Sequence, residues 1–198
     1  PDSPDVHKSY TRFLYSRGRF DEAINEIRKA IDLQPVSYRN QQIYGLALFY
    51  ARRFPEAEAQ FVRLLELNPG HPFILVQLVN ICEQQGRNAD AFDYFVRWLT
   101  ATNADAATIE RFKAAYARSG WRGFMLERAK MDTYASQPFD LACLYASAGE
   151  KDKAFESLET AFRNRSYKIA VLQVTPQLDP IRNDPRYQDL VQRVEGKQ

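Results

Sequence analysis

Gly18-Arg19-Phe20-Asp21-Glu22-Ala23-Ile24 opens a pattern whose parts return at a fixed interval. Ala23, Ala57 and Ala91 stand 34 apart, as do Pro35 and Pro69, with Asn103 at the next proline position. Gly86 and Gly120 keep the same interval. A strict period of this length marks a helical solenoid built from one helix–turn–helix per unit. Such folds rarely carry chemistry. They present a long surface and hold something on it.

Outward from that stretch, the units can be followed in turn. Asp5 to Arg17 reads as an amphipathic helix, with Tyr10, Phe13, Leu14 and Arg17 spaced at three and four. Gly18 ends it, as a residue free to take positive φ. Asp21 sits in the first turn of the next helix, where the macrodipole favours an acid. Ala23, Ile24, Ile27, Ala30 and Ile31 form the buried stripe of that helix, and Pro35 stops it.

The Gly18–Ile24 string with Ala30 and Pro35 resembles the tetratricopeptide repeat. In that family the small residue at Ala23 lets the two helices of a unit cross closely. The resemblance implies an all-α, right-handed superhelical solenoid of about five repeats closed by a C-terminal capping helix. The repeats are expected near 4–37, 38–71, 72–105, 106–134 and 135–165, with the cap at 166–198, all in one domain. Gly45, inside a helix of the second repeat, is read as a close-contact position. The fourth repeat is degenerate: Met125 replaces the expected alanine, and Gly149 follows Gly120 too early to keep the repeat interval. Pro176, Pro180 and Pro185 forbid a continuous helix in the cap until the last one opens at Asp184-Pro185.

The C-terminal third carries Gly120-Trp121-Arg122-Gly123-Phe124, Gln137-Pro138-Phe139-Asp140-Leu141-Ala142 and Leu178-Asp179-Pro180-Ile181-Arg182-Asn183-Asp184-Pro185-Arg186-Tyr187. This order resembles the C-terminal repeat domain of bacterial multidomain signalling proteins, where it follows a winged-helix, kinase or nucleotide cyclase domain. It implies a docking or sensory module in a regulatory protein. The chain begins at Pro1 and reads as a fragment or a processed product.

Composition agrees with a non-catalytic role. The 198 residues are 45% apolar, enough for a real core, and 27 basic against 25 acidic residues give a net charge of only +2. That balance argues against nucleic-acid binding. No apolar run reaches the roughly 18 residues that would span a bilayer. Cys82 and Cys143 read as unbridged, which leans toward the cytoplasm. Relatives in the resembled group with a membrane span before the repeats would instead place the module in the periplasm. His7 and His71 are isolated, and His71 reads as a surface turn residue. Asp21-Glu22 and Glu56/Glu58 read as solvated helix starts. No catalytic residue, metal site or cofactor is expected, and no phosphate-cradling glycine motif occurs.

In tetratricopeptide repeats the first helix of each pair lines the concave face. That register selects Lys8, Arg12 and Tyr15 from the first repeat, and Arg39, Gln42, Ile43, Leu46, Phe49 and Tyr50 from the second. It adds Phe73, Val76, Gln77, Asn80 and Glu83 from the third, then Glu110, Arg111 and Arg118 from the fourth. The centre of this groove is apolar and aromatic, and it suits a protein or peptide segment. Two other uses stay open: pairing with a second copy of the chain, and sensing a small ligand where the fourth repeat distorts. Ile43, Leu46 and Phe73 could equally pack between repeats.

Overall fold

The computed structural model describes residues 3–196, so the last two positions of the expected cap, 197 and 198, lie outside it. Helices follow one another in packed pairs, and no strand occurs among the described residues. The chain divides into two compact units, Pro1–Ala104 and Asp105–Gln198.

The first unit holds six helices among its described residues: α1 (Pro4–Ser16), α2 (Phe20–Leu33), α3 (Tyr38–Tyr50), α4 (Phe54–Leu67), α5 (Pro72–Gln84) and α6 (Asn88–Ala101). First helices begin at residues 4, 38 and 72, second helices at 20, 54 and 88, so the period of the sequence is the period of the structure. Their N-caps keep it too: Ser3, Ser37 and His71. The turn inside each pair needs one left-handed residue. Gly18 and Gly86 supply it at φ 72°, whereas Arg52 is held at φ 60°. A side chain in that region costs about 1–2 kcal/mol. Arg52→Gly is therefore expected to raise the stability of this unit by about 1 kcal/mol, readable as a higher urea midpoint at unchanged m-value.

Burial follows the small-residue register. Ala23, Ala57 and Ala91 are fully buried at the helix crossings. Gly45 lies against the ring of Phe61, itself fully buried. Asn40 is buried as well, and its side-chain N–H donates to the Ala30 carbonyl at 2.8 Å, tying α3 to α2. In α1 the expected stripe divides. Leu14 is buried with Thr11 and Tyr15, but Tyr10 and Phe13 remain 42% and 48% exposed. Spacing at three and four reads alike for a helix covered on one side or on two. α1 packs on α2 and α3.

The second unit starts with α7 (Ala106–Arg128), capped by Asp105, whose carboxylate accepts from the Thr108 N–H at 2.6 Å. α7 breaks at Ser119 and Gly120, so its two parts form one helix pair. Met125 fills its buried position completely. After α8 (Asp132–Ala135) come α9 (Pro138–Ser147) and α10 (Lys151–Arg163). Two 3-10 segments, Tyr167–Val171 and Pro176–Ile181, lead into α11 (Pro185–Glu195). The starts of α10 and α11, at 151 and 185, are one repeat period apart. Arg186 pairs with Asp152 and Arg193 with Glu159, again across one period. The cap is thus a reduced repeat. Short 3-10 turns stand in the first-helix slot, because Pro176 and Pro180 withhold the N–H groups a full helix needs. Leu172, Leu178, Ile181 and Tyr187 fill the core there against Phe139, Ala142 and Leu158. The Tyr187 hydroxyl donates to the Leu172 carbonyl at 2.8 Å.

Asp184 caps α11 and accepts from the side chain and the backbone N–H of Arg186, which holds its carboxyl down to about 2. An unfolded aspartate titrates near about 3.9. The lowered value means the cap's contribution is present above that point and is lost as the pH falls from there through about 2. Asp184→Asn keeps an acceptor at the cap. It is expected to flatten the acid limb of the unfolding curve in that window, followed by tryptophan fluorescence.

Candidate functional site

The first helices α1, α3 and α5 lie in register, so their exposed positions form rows across the first unit. One row is Arg12, Leu46 and Asn80; another is Lys8, Gln42 and Val76; a third sets Arg39 beside Phe73. The structure grades the expected groove residues by exposure. Arg12 and Arg39 are exposed; Lys8, Leu46, Tyr50, Phe73, Val76, Gln77, Asn80 and Glu83 are half-buried. Tyr15, Gln42, Ile43 and Phe49 are buried. Ile43 packs with Ile27 and Ala30 between α2 and α3, and Phe49 sits edge-on to Tyr50 and beside Phe54. These two hold the helices together beneath the face. Tyr15 stacks on Tyr50 at 4.8 Å and joins α1 to α3 along it.

The charges on the face differ in commitment. Lys8 is paired with Asp5 at 2.5 Å, one turn earlier on the same helix. Arg12 and Arg39 have no ion-pair partner among the described residues. Glu110, Arg111 and Arg118 are exposed residues of the second unit. There the Arg111 guanidinium meets Glu127 at 2.9 Å and lies over the Phe112 ring.

His71 departs from its reading as a surface turn residue. It is half-buried, stacked on Tyr38 with ring centres 5.3 Å apart and edge-on to Phe73 at 6.4 Å. Its Nε2 lies 3.5 Å from the Gln42 amide nitrogen, and its Nδ1 is buried with no hydrogen-bond partner. The position follows from the repeat: an N-cap residue stands where first-helix side chains of two neighbouring units meet. Ser37, one period earlier, was the available signal. Tyr38 belongs to the same group. Burial pushes its phenol up, and its hydroxyl donates to the Leu64 carbonyl at 3.1 Å.

Among the described residues no group of three or more His, Cys, Asp or Glu could hold a metal ion. None of the described helices is long and apolar enough to cross a membrane. Among the described residues neither cysteine is in a disulfide; Cys82 is buried and Cys143 half-buried.

Comparison with known proteins bears on the first unit above all. Two family models match, both described as tetratricopeptide repeat, one over residues 44–106 and the other over residues 12–37. The chain is similar to human tetratricopeptide repeat protein 13, with 36% identity over 76 residues, 38% of this chain and 9% of that protein. It is also similar to an uncharacterized protein of Aquifex aeolicus (strain VF5), with 29% identity over 96 residues, 47% of this chain and 12% of that protein. The matched region thus spans about a tenth of the length of either relative. The helix pairs, their periodic register and these matches agree: residues 12–37 and 44–106 hold tetratricopeptide repeats, the framework of a protein-interaction scaffold.

Proposed function

We propose that the first-helix face of the first unit binds a segment of another protein, and that the chain serves as the docking module of a larger bacterial regulatory protein. One observation carries the reading. Leu46, Phe73 and Val76 stay partly open to solvent on helices whose other large aliphatic side chains are buried, and the uncommitted Arg12 and Arg39 stand in the same rows. An apolar strip edged by cations and amides gives a partner both area and orientation. Asn80 and Gln77 offer donors and acceptors to its backbone. Arg12 and Arg39 add steering toward an acidic flank. The residues quoted from the C-terminal third support the regulatory setting.

The test is selection of binders from a displayed random-peptide library, followed by titration of the best peptide by fluorescence anisotropy. Leu46→Arg and Val76→Arg are expected to weaken binding about tenfold or more each, a loss of about 1.4 kcal/mol, at an unchanged melting temperature. Equal affinity in the parent and both variants would place the peptide elsewhere and end this reading.

A further inference from the structure

Three exposed apolar side chains on α1 occupy positions that are covered everywhere else in the first unit. Val6, Tyr10 and Phe13 are 53%, 42% and 48% exposed. They lie on one stripe at four- and three-residue spacing. One period on, the same positions are Asn40, Tyr44 and Ala47. Asn40 and Ala47 are fully buried, and Tyr44 packs on the cluster of Ile27, Ala30 and Ile43 with the Arg28 guanidinium over its ring. Two periods on they are Ile74, Leu78 and Ile81, all fully buried. In both cases the covering element is the second helix of the preceding pair, α2 on α3 and α4 on α5. α1 thus presents the receiving half of a contact that the fold makes twice within the same unit.

The outer surface of α11 shows the contrast. Its exposed residues are Pro185, Arg186, Gln188, Asp189, Gln192 and Glu195, with no large aliphatic or aromatic side chain among them. α1, by contrast, exposes Val6, Tyr10 and Phe13 beside its polar Asp5, Ser9 and Arg12.

We infer that the Val6–Tyr10–Phe13 stripe is an interface that seats an amphipathic helix of the α4 kind, with aromatic and aliphatic residues at the spacing of Phe61, Leu64 and Leu65. α4 is the better template than α2, because Ile74, Leu78 and Ile81 resemble Val6, Tyr10 and Phe13 in bulk, whereas α2 faces the small Ala47. α5 and α1 also share a proline at the first helical position, Pro72 and Pro4, so the α4–α5 junction transfers directly. A second copy of the chain suits the stripe less well. Three side chains fall far short of the roughly 20–30 residues a side that a stable association uses. A helix joined to α1 by a short turn meets no such requirement, since the join supplies the effective concentration.

The experiment places a copy of residues 54–71 directly before Pro4 of the otherwise intact chain, in place of residues 1–3. A composition-matched shuffled segment at the same place is the control. The copy is expected to raise the melting temperature by about 5 °C over the shuffled control and to slow amide exchange in α1 about tenfold. Tyr10→Ser with Phe13→Ser is expected to remove both gains while leaving the unfused chain folded. Identical melting and exchange for copy and shuffle would overturn the proposal. So would a parent chain that is a dimer by light scattering and falls to monomer in the Tyr10→Ser, Phe13→Ser variant, because a second copy would then hold the face. The measurement reads α1 alone, so its outcome is separate from that of the peptide-binding face.

Discussion

Phe61→Ala is expected to destabilise the first unit by about 3–5 kcal/mol, visible as a large fall in the urea midpoint. The ring is fully buried and lies where α3 and α4 cross, against the backbone of Gly45 and near Phe73 at 6.4 Å. Removing it leaves a cavity that the crossing cannot close, since the helices are already held apart by neighbouring side chains. Gly45→Ala probes the same crossing from the other side, and two effects compete there. Alanine is the better helix former by about 1 kcal/mol. A Cβ at position 45, however, would stand 2.6 Å from the Phe61 ring, which sits in a filled core. Overpacking of that kind costs about 1–3 kcal/mol, so the substitution is expected to destabilise. Pairing it with Phe61→Leu should recover part of the loss. A double-mutant cycle with no coupling would show that the two residues do not meet.

Leu178→Ala is expected to cost about 2–5 kcal/mol in the second unit. Leu178 is fully buried in the second 3-10 segment, among Phe139, Ala142, Ile181 and Tyr187. The segment has few helical hydrogen bonds of its own, so the side chain holds it in place. Total stability of a domain is about 5–15 kcal/mol, so this loss should be a large share of what keeps the cap closed. The check is amide exchange: protection in α9 and α11 should fall together. Loss of protection in α11 with α9 unchanged would show that the 3-10 segment is not the link between them.

The parts of the fold that were readable in the sequence are those fixed by backbone sterics. Glycine at 18, 86 and 120, alanine at 23, 57 and 91, and proline at 35 and 69 each answer a demand that recurs once per unit. They placed the helix pairs at the interval that the structure shows. The parts that escaped depend on what lies opposite a side chain. Tyr10 and Phe13 have the spacing of core residues, yet no neighbouring helix covers them among the described residues. His71 resembles a turn residue until Tyr38 and Phe73 are brought beside it. The repeat hidden in the cap escaped because its first helix is replaced by 3-10 turns. The register survives in the start of α11, one period after that of α10, and in the pairs that join the two helices. On the expected binding face, register could not separate Leu46 and Val76, which reach solvent, from Ile43 and Phe49, which support the helices from beneath.

Within the first unit every helix packs mainly on those next to it along the chain, α1 on α2 and α3, α3 on α4, α5 on α6. No segment waits for a distant one. Loops that close over short separations cost little entropy and form quickly. During synthesis, which adds residues from the N-terminus at about 5–20 per second, α1, α2 and α3 can therefore assemble as soon as Tyr50 has left the ribosome. Each later pair would dock on a surface that is already in place. A nascent chain halted after α3 should already resist protease, and each further pair should extend the protected length by one step.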